Sequence, residues 1–279
     1  RVRHEATAID PTRKTVTVRR LEDGSEYEEA YDKLLLSPGA RPLRPALPGV
    51  ESARVFTLRT VEDTLRLHTF IQSSAPRSAV VVGGGFIGLE MMENLTHQGI
   101  QVTVVEKQRQ VMAPIDYDMA CGVHAYLRDK GVALRLDAAV EGFEETDSSL
   151  SVRLEGGERL ETDMVVLALG VVPDTGLAKE AGLTLGGRGA IVVNDRMETS
   201  APDIYAVGDA VQITHAVTGD PAWVPLAGPA NKQGRIAADN ISGRDSRFDG
   251  SQGTSILRVF DMTVAATGLN ERAAEAAGY

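Results

Sequence analysis

The sequence has little cysteine, few aromatic side chains and no long apolar run. Among its 279 residues Cys121 is the single cysteine, and aromatic residues make up 5%. One cysteine excludes a framework of disulfides within the chain and favours a reducing, cytoplasmic setting. No apolar run approaches the length that spans a bilayer and no signal peptide is visible, so we expect no contact with a membrane.

Basic residues are also in the minority. Lys and Arg number 29 against 39 Asp and Glu, which gives a net charge of -10. Without a basic cluster, this balance argues against nucleic acid as a partner. The apolar fraction of 43% is that of a globular protein, and the length allows more than one domain with a sizeable core.

Glycine, by contrast, is placed in a recognisable pattern at residues 79–90, AVVVGGGFIGLE. A β-branched run breaks into Gly-x-Gly-x-x-Gly and then into a helical stretch. In this pattern Gly83 allows a tight bend, Gly85 lets a pyrophosphate approach the backbone, and Gly88 lets the helix pack closely on the strand. The amides at the start of the helix favour phosphate. The pattern predicts a dinucleotide site in the interior of the chain.

The residues that follow complete a β-α-β unit. A helix is predicted over 86–98, Gly99 ends it, and the strand 102–105 leads to Glu106. A carboxylate there would bind the adenosine ribose hydroxyls and favours NAD; the alternative is an ordinary solvated strand end. Lys107 and Arg109 favour a 2′-phosphate instead, so the choice between NADH and NADPH stays open.

Other segments predict the elements around this unit. Asp23-Gly24 between alternating runs predicts a hairpin, and residues 33–36 predict a short buried strand. Three prolines predict an irregular linker over 41–50. Helices are expected at 62–71, 116–130 and 231–241, strands near 132–136, 140–144, 151–154 and 164–168, and a tight turn at 155–158. Residues 204–210 are expected to be a strand that delivers an acid after a glycine.

Four motifs in order carry a family resemblance: 36–40 (LSPGA), 83–90 (GGGFIGLE), 168–173 (ALGVVP) and 205–210 (YAVGDA). Together they resemble the FAD-dependent pyridine nucleotide-disulfide oxidoreductases. Within that family, residues 225–235 and 259–265 are most similar to coenzyme A-disulfide reductases and NADH-dependent persulfide reductases, which are single-cysteine flavoenzymes.

The resemblance implies an α/β fold with two Rossmann-like three-layer nucleotide-binding domains. The NAD(P)-binding domain, 73–190, would be inserted into an incomplete FAD-binding domain made of 1–72 and 191–249. Residues 250–279 would begin a dimerisation domain.

The resemblance also implies contacts to FAD. Asp209, after Gly208, would bind the ribityl chain; its alternative is a helix N-cap. The residues Leu226 and Ala227 would lie near the flavin pyrimidine edge, and Ala6 near the adenine. The backbone that wraps the cofactor would come from Ser37, Pro38, Gly39 and Ala40.

Further contacts are implied on the nicotinamide side. Phe86, followed by Ile87, resembles an aromatic gate, with core packing as the equal alternative. Glu90, expected to be buried and therefore partnered, resembles the acid that contacts the carboxamide. Gly170 would close over the cofactor. Asn231 would contact a thiol substrate, or else cap a helix.

The implied reaction passes hydride from NAD(P)H through FAD to a disulfide or persulfide such as coenzyme A disulfide, in a homodimer. The redox cysteine and the FAD pyrophosphate motif would precede Arg1, so the chain by itself is expected to be incomplete for catalysis. Cys121, without a nearby cation, is assigned a structural role. The alternatives are an NADH oxidase or ferredoxin-reductase-like carrier, and a redox-sensing module that binds nucleotide without turnover. No metal is expected.

Overall fold

The computed structural model describes residues 1–146 and 148–279. Its strands are β1 His4–Asp10, β2 Thr15–Arg20, β3 Glu26–Ala30, β4 Leu34–Leu36, β5 Ala40–Pro42, β6 Val55–Phe56, β7 Ser78–Val82, β8 Gln101–Val105, β9 Ala133–Arg135, β10 Val140–Glu145, β11 Leu150–Leu154, β12 Arg159–Thr162, β13 Met164–Leu167, β14 Val171–Pro173, β15 Ile191–Val192, β16 Ile204–Ala206, β17 Val211–Thr214, β18 Pro221–Ala222, β19 Ser255–Val259 and β20 Met262–Ala266. Its helices are α1 Val61–Ser74, α2 Phe86–His97, α3 Tyr117–Asp129, α4 Gly176–Glu180, α5 Ala227–Ile241 and α6 Glu271–Ala276, with 3₁₀ turns at Gly187–Gly189 and Gly208–Ala210.

The chain divides into two compact units. The first unit contains residues 1–41 and 172–254, and the second contains 42–171 and 255–279. These bounds differ from 72, 190 and 249, where the family resemblance places the domain boundaries. The reason lies in the cores: Val55 and Phe56 are buried in the second unit, whereas Ala178 and Leu183 are buried in the first. Which nucleotide each unit binds stays a prediction.

The second unit is built on a parallel sheet in the order β6-β13-β7-β8-β9. Successive side chains of a strand point to opposite faces. On β7, Val81 therefore packs with Leu89 and Met92 of α2, while Val80 packs with Val152 of the antiparallel sheet β10-β11-β12. Helices, parallel sheet and antiparallel sheet form three layers, which confirms the expected α/β class and, for this unit, the three-layer architecture.

The helices of this unit begin and end at chemically suited residues. Thr60 and Asp63 form a capping box at the start of α1. Gly99, at φ +80°, follows α2, as the pattern predicts. The predictions of helices near 62–71, 86–98 and 116–130 are confirmed, as is the turn between β11 and β12.

The end of the sequence also belongs to the second unit. The hairpin β19-β20 contributes Leu257 and Val259 to the same core as Leu95 of α2. The rings of His97 and Phe260 meet edge to face with their centroids 5.6 Å apart. This hairpin therefore covers α2.

The first unit combines small sheets with α5. Strands β1, β2 and β3 form an antiparallel sheet whose second turn contains Gly24 at φ +73°, which confirms the predicted hairpin. Strand β4 pairs in parallel with β16. The carboxylate of Asp203, just before β16, accepts hydrogen bonds from Lys14 and from Lys33.

Several local predictions are wrong. Strand β4 is not buried, because Leu35 is 39% exposed and its neighbours are half-buried. The expected linker 41–50 begins inside a strand, since Arg41 lies in β5. Strand β12 was missed because charged residues alternate in it, as they do on a solvated edge. Helix α5 begins at Ala227, four residues before the predicted start.

Within the described ranges, no helix has both the length and the apolar character that crossing a bilayer requires.

Candidate nucleotide-binding sites

The Gly83–Gly88 turn lies between β7 and α2 in the second unit. Gly83 has φ +111°, and a Cβ there would lie 2.3 Å from the carbonyl oxygen of Ala168. A Cβ on Gly88 would lie 1.9 Å from the carbonyl oxygen of Gly83. A Cβ on Gly85 would meet no heavy atom within 4 Å. Gly83 and Gly88 are thus required by the protein's own packing, whereas Gly85 faces open space that a ligand can approach.

That open space adjoins the first turn of α2. Gly85 is the N-cap, no side chain hydrogen-bonds to the cap, and the first turn holds no acidic residue. The first amides of a helix have no partner within the helix and carry the positive end of its dipole. The backbone here has the chemistry that binds a pyrophosphate.

Glu106 closes the far side of the turn. This half-buried carboxylate accepts the Gly84 amide through Oε2 at 2.7 Å and the Gln108 amide through Oε1 at 2.8 Å. The Gly83 amide also bonds to the carbonyl of Val105 at 2.8 Å. Glu106 is therefore not an ordinary solvated strand end, because two amides fix its orientation beside the turn.

Basic residues follow Glu106 at the surface. The guanidinium of Arg109 lies 4.2 Å from the centroid of the Tyr117 ring. Lys107, Arg109 and Tyr117 line a cavity of about 290 Å³ together with Asp116 and Asp137. The cavity wall thus carries both signs of charge.

Of the residues expected near nicotinamide, Phe86 and Glu90 lie one turn apart on the same side of α2. Phe86 and Ile87 are half-buried and pack against the core of the second unit. Glu90 is exposed, so the expectation of a buried acid is wrong. It follows Leu89 by one residue, which rotates it about 100° away from the inward stripe of Leu89 and Met92. Gly170, exposed at φ +94°, accepts a hydrogen bond from the Leu43 amide.

A second glycine-led turn lies in the first unit. Gly208 has φ +81°, and its amide donates to Oε1 of Gln233 at 2.7 Å. Asp209 lies inside the 3₁₀ turn, whose N-cap is Val207, so the N-cap alternative for Asp209 is wrong. The carbonyl of Asp209 accepts from the Trp223 indole at 2.7 Å. These bonds hold the turn in place.

Sequence reasoning missed Gln233. Its side chain is only 1% exposed, although an amide suggests a surface position. One signal was available, because Gln233 lies four residues before the buried Ala237 and so shares its face of α5. A polar residue on the inward face of a helix needs a hydrogen-bond partner.

Ser37 lies beside this turn, since a Cβ on Gly208 would be 3.8 Å from its hydroxyl oxygen. Ser37, Pro38 and Ala6 line a cavity of about 590 Å³ in the first unit. Its other walls are mainly apolar and include Ile9, Leu36 and Leu177. Gly39, at φ +74°, and the buried Ala40 continue the segment without lining the cavity.

The start of α5 carries the remaining predicted residues. Leu226 is its N-cap without a side-chain bond, and Ala227 is its first residue. Asn231 is exposed and lies one full turn into the helix. The alternative role of Asn231 as a cap is therefore wrong.

Comparison with known proteins decides the family. Residues 1–234 match the family described as pyridine nucleotide-disulphide oxidoreductase. The chain belongs to this family. A Pyrococcus abyssi protein named NAD(P)H sulfur oxidoreductase (CoA-dependent) is 36% identical over 275 residues, which are 98% of this chain and 61% of the relative.

Two solved structures resemble this family member over nearly its whole length. A structure described as reduced Bacillus anthracis CoADR-RHD is 48% identical with a TM-score of 0.96, covering 99% of this chain and 49% of that one. An NAD-dependent persulfide reductase from A. fulgidus is 41% identical with a TM-score of 0.95, covering 99% and 50%. The chain spans about three fifths of the length of the curated relatives that it matches.

In this chain Cys121 is a free, exposed thiol on α3. Because it is exposed, it has no packing role in the interior. Among the residues that the structure describes, His, Cys, Asp and Glu form no group of three able to hold a metal ion.

Proposed function

We propose that the protein is a flavoenzyme that passes hydride from NAD(P)H through FAD to a disulfide or persulfide such as coenzyme A disulfide. The observation that carries the proposal is the open approach to Gly85 beside the fixed carboxylate of Glu106. The names of the similar proteins, which refer to sulfur, persulfide or coenzyme A disulfide, support the substrate class.

The residues of the second unit fit a pyridine dinucleotide. The space beside Gly85, which a Cβ would fill, would receive the pyrophosphate at the first amides of α2. Glu106 would bind the adenosine ribose through the carboxylate lone pairs that do not accept hydrogen bonds from the two loop amides. Glu90, being exposed, would contact the carboxamide, Phe86 would gate the nicotinamide, and Ile87 and Gly170 would border it.

The residues of the first unit would hold FAD, which supplies two-electron chemistry when bound. Asp209, positioned by Gly208, would hydrogen-bond the ribityl chain, and the segment Ser37, Pro38, Gly39 and Ala40 would wrap the cofactor. Ala6 would lie near the adenine. The amides after Leu226 and Ala227 at the start of α5 would face the pyrimidine edge, and Asn231 would contact the thiol substrate.

The remaining parts of the proposal concern the whole protein. Cys121 lies on α3 beyond its first turn, and activation of a thiolate needs a helix N-terminus or an adjacent cation. The redox cysteine would therefore come from outside these 279 residues. A cytoplasmic homodimer is part of the same proposal.

Substitution of Gly85 by alanine tests the nucleotide assignment. The added methyl meets no protein atom within 4 Å, so any loss of stability should stay within about 1 kcal/mol, the cost of alanine at an N-cap, while the methyl occupies the space of the pyrophosphate. We expect NADH affinity in the full-length flavoprotein to fall roughly tenfold or more, about 1.4 kcal/mol, by calorimetric titration.

Gly122→Ala is the matched control, because its added methyl on α3 also meets nothing within 4 Å. Unchanged NADH affinity in G85A would refute the site. NADH binding without bleaching of the flavin absorbance, or without turnover of coenzyme A disulfide, would refute the proposed reaction.

A further inference from the structure

The proposed reaction leaves unused a buried histidine on α3. His124 is 4% exposed, and its Nε2 accepts a hydrogen bond from the Val111 amide at 3.2 Å. The ring of Tyr117 meets it edge on, with centroids 6.5 Å apart. The bond reaches from α3 to the loop after Glu106, so it joins two separate elements of the second unit.

That loop in turn holds the middle of the glycine turn. The Met112 amide donates to the carbonyl of Gly84 at 2.9 Å. A Cβ on Gly84 would lie 2.7 Å from Cγ1 of Val111, so the valine side chain packs directly on the glycine. Val111 is 0% and Met112 1% exposed, so neither can shift without displacing its neighbours.

Gly84 in turn orients Glu106, the residue proposed to bind the ribose, because the Gly84 amide donates a hydrogen bond of 2.7 Å to Oε2 of Glu106. A continuous chain of contacts therefore runs from His124 through Val111 and Met112 to Gly84 and Glu106.

We propose that neutral His124 is a positioning residue for the pyridine nucleotide, and that its protonation releases the loop and weakens nucleotide binding. The inference rests on the proposed function of the glycine turn. Its chemistry is simple: Nε2 accepts the Val111 amide only while it keeps its lone pair, and both nitrogens of imidazolium are donors. Protonation therefore turns an accepted bond into a clash of two donors.

Burial and one nearby cation favour the neutral form of His124. Burial lowers the pKa of His124 below its ordinary value, and the positive charge of Arg128 one turn along α3 lowers it further. Tyr117 faces the ring with Arg109 stacked on it, and Glu106 and Asp116 flank the loop and the helix. Nucleotide affinity should thus be constant near neutral pH and fall as the pH drops through this lowered pKa. By linkage, bound nucleotide should lower the pKa of His124 still more.

The experiment compares three variants of the full-length flavoprotein. His124→Gln keeps an acceptor near the Nε2 position but does not titrate, His124→Leu removes the acceptor, and His68→Gln changes an exposed histidine on α1. Affinity for NAD⁺, which tolerates acid, is measured by calorimetry from mildly acidic to mildly basic pH. Hydrogen exchange of the Val111, Met112 and Gly84 amides is measured without nucleotide and expressed as protection factors.

We expect the unsubstituted protein and H68Q to lose affinity as the pH falls, and H124Q to bind with little pH dependence. At mildly basic pH, H124L should bind roughly tenfold more weakly than the unsubstituted protein. Protection of the Val111 amide should fall in H124L and, at low pH, in the unsubstituted protein.

Equal pH dependence in H124Q and the unsubstituted protein would overturn the proposal, as would full Val111 protection in H124L. If H124L does not fold, the pH dependence of NAD⁺ affinity in H124Q still tests the proposal. No binding of NAD⁺ by the unsubstituted protein at mildly basic pH would count against the proposed function, whereas the exchange data report on the loop contacts independently.

Discussion

The two glycine-led turns of this chain are held in different ways. Around Gly83 and Gly88, main-chain carbonyl oxygens lie within 2.3 Å of where a Cβ would be. Around Gly208, the atom nearest to the corresponding Cβ position is a hydroxyl oxygen at 3.8 Å, and the turn is held by the amide side chain of Gln233. One turn is defined by backbone packing and the other by a side chain distant in sequence.

The two turns require glycine for different structural reasons. Gly88 needs the absence of a side chain but has no left-handed backbone, whereas Gly208 needs its φ of +81° but has room for a methyl. Gly83 needs both. Substitution in the first turn should therefore destabilise the protein through steric conflict. Substitution of Gln233 should destabilise the second turn through the loss of one hydrogen bond.

The largest effect is expected from Gly88→Ala. The new Cβ would lie 1.9 Å from the Gly83 carbonyl oxygen, so α2 must move away from β7. Because the conflicting atom belongs to the main chain and not to a flexible side chain, the cost should exceed the roughly 1–3 kcal/mol of ordinary overpacking and outweigh a gain of about 1 kcal/mol in helix propensity. Urea unfolding should show a net loss of stability, and NADH affinity should fall with it.

Gly122→Ala provides the contrast, because it makes the same change in α3 where nothing lies within 4 Å of the new methyl. It should raise the free energy of unfolding by up to about 1 kcal/mol. Equal responses at the two positions would mean that close packing does not define the first turn.

The second turn should respond to Gln233→Leu. The substitution keeps the volume and the buried position of the side chain but leaves the half-buried Gly208 amide without its acceptor. An unsatisfied buried donor costs about 1–3 kcal/mol. We expect that loss of unfolding free energy, together with weaker FAD retention in the full-length protein, measured by flavin release.

Lys232→Leu, at the exposed neighbouring position, is the control and should change stability by less than about 0.5 kcal/mol. If Q233L were as stable as this control, the turn around Gly208 would have to be held by other contacts.

The same contrast explains what the sequence could predict. The roles of Gly83, Gly85 and Gly88 follow from local geometry within one short turn, so the pattern predicts the shape of that turn correctly. Gln233 acts 25 residues from Gly208, and only the folded chain brings the two together. The prediction that Glu90 is buried is wrong because the motif gives its distance from the turn along the chain but not which side of the helix faces the core.

The start of α5 shows a related limit. Leu226 and Ala227 precede a glycine and a proline, which usually interrupt helices, yet the helix begins at Ala227. Proline is tolerated in the first turn because the amide that it lacks would have no partner there. A sequence pattern that treats proline only as a breaker places the start too late.

The smallest effect concerns charge in the first unit. Hydrogen bonds from Lys14, then Lys33, lower the pKa of Asp203 to about 2. A lowered carboxyl pKa stabilises the fold above the ordinary value of 3.8 and loses that contribution as the pH falls through 2. Asp203→Asn should therefore lower the thermal midpoint slightly at neutral pH, and the difference should vanish near pH 2.

Asparagine is the suitable replacement because Asp203 has φ +63°, which asparagine tolerates. Asp32→Asn, at an exposed neighbouring position, should leave the midpoint unchanged. A difference that persists below this lowered pKa would show that Asp203 acts through something other than its charge.

The hairpin β19-β20 has a consequence for synthesis on the ribosome. Helix α2 and its sheet emerge early, but Leu257 and Val259, which cover α2, follow only after residues 172–254 have been made. Until then the apolar residues of α2 that the hairpin covers stay exposed to solvent. Such a surface is where chaperones bind and where premature association begins, so the order of translation makes the covering of α2 by this hairpin a late step in closing the unit.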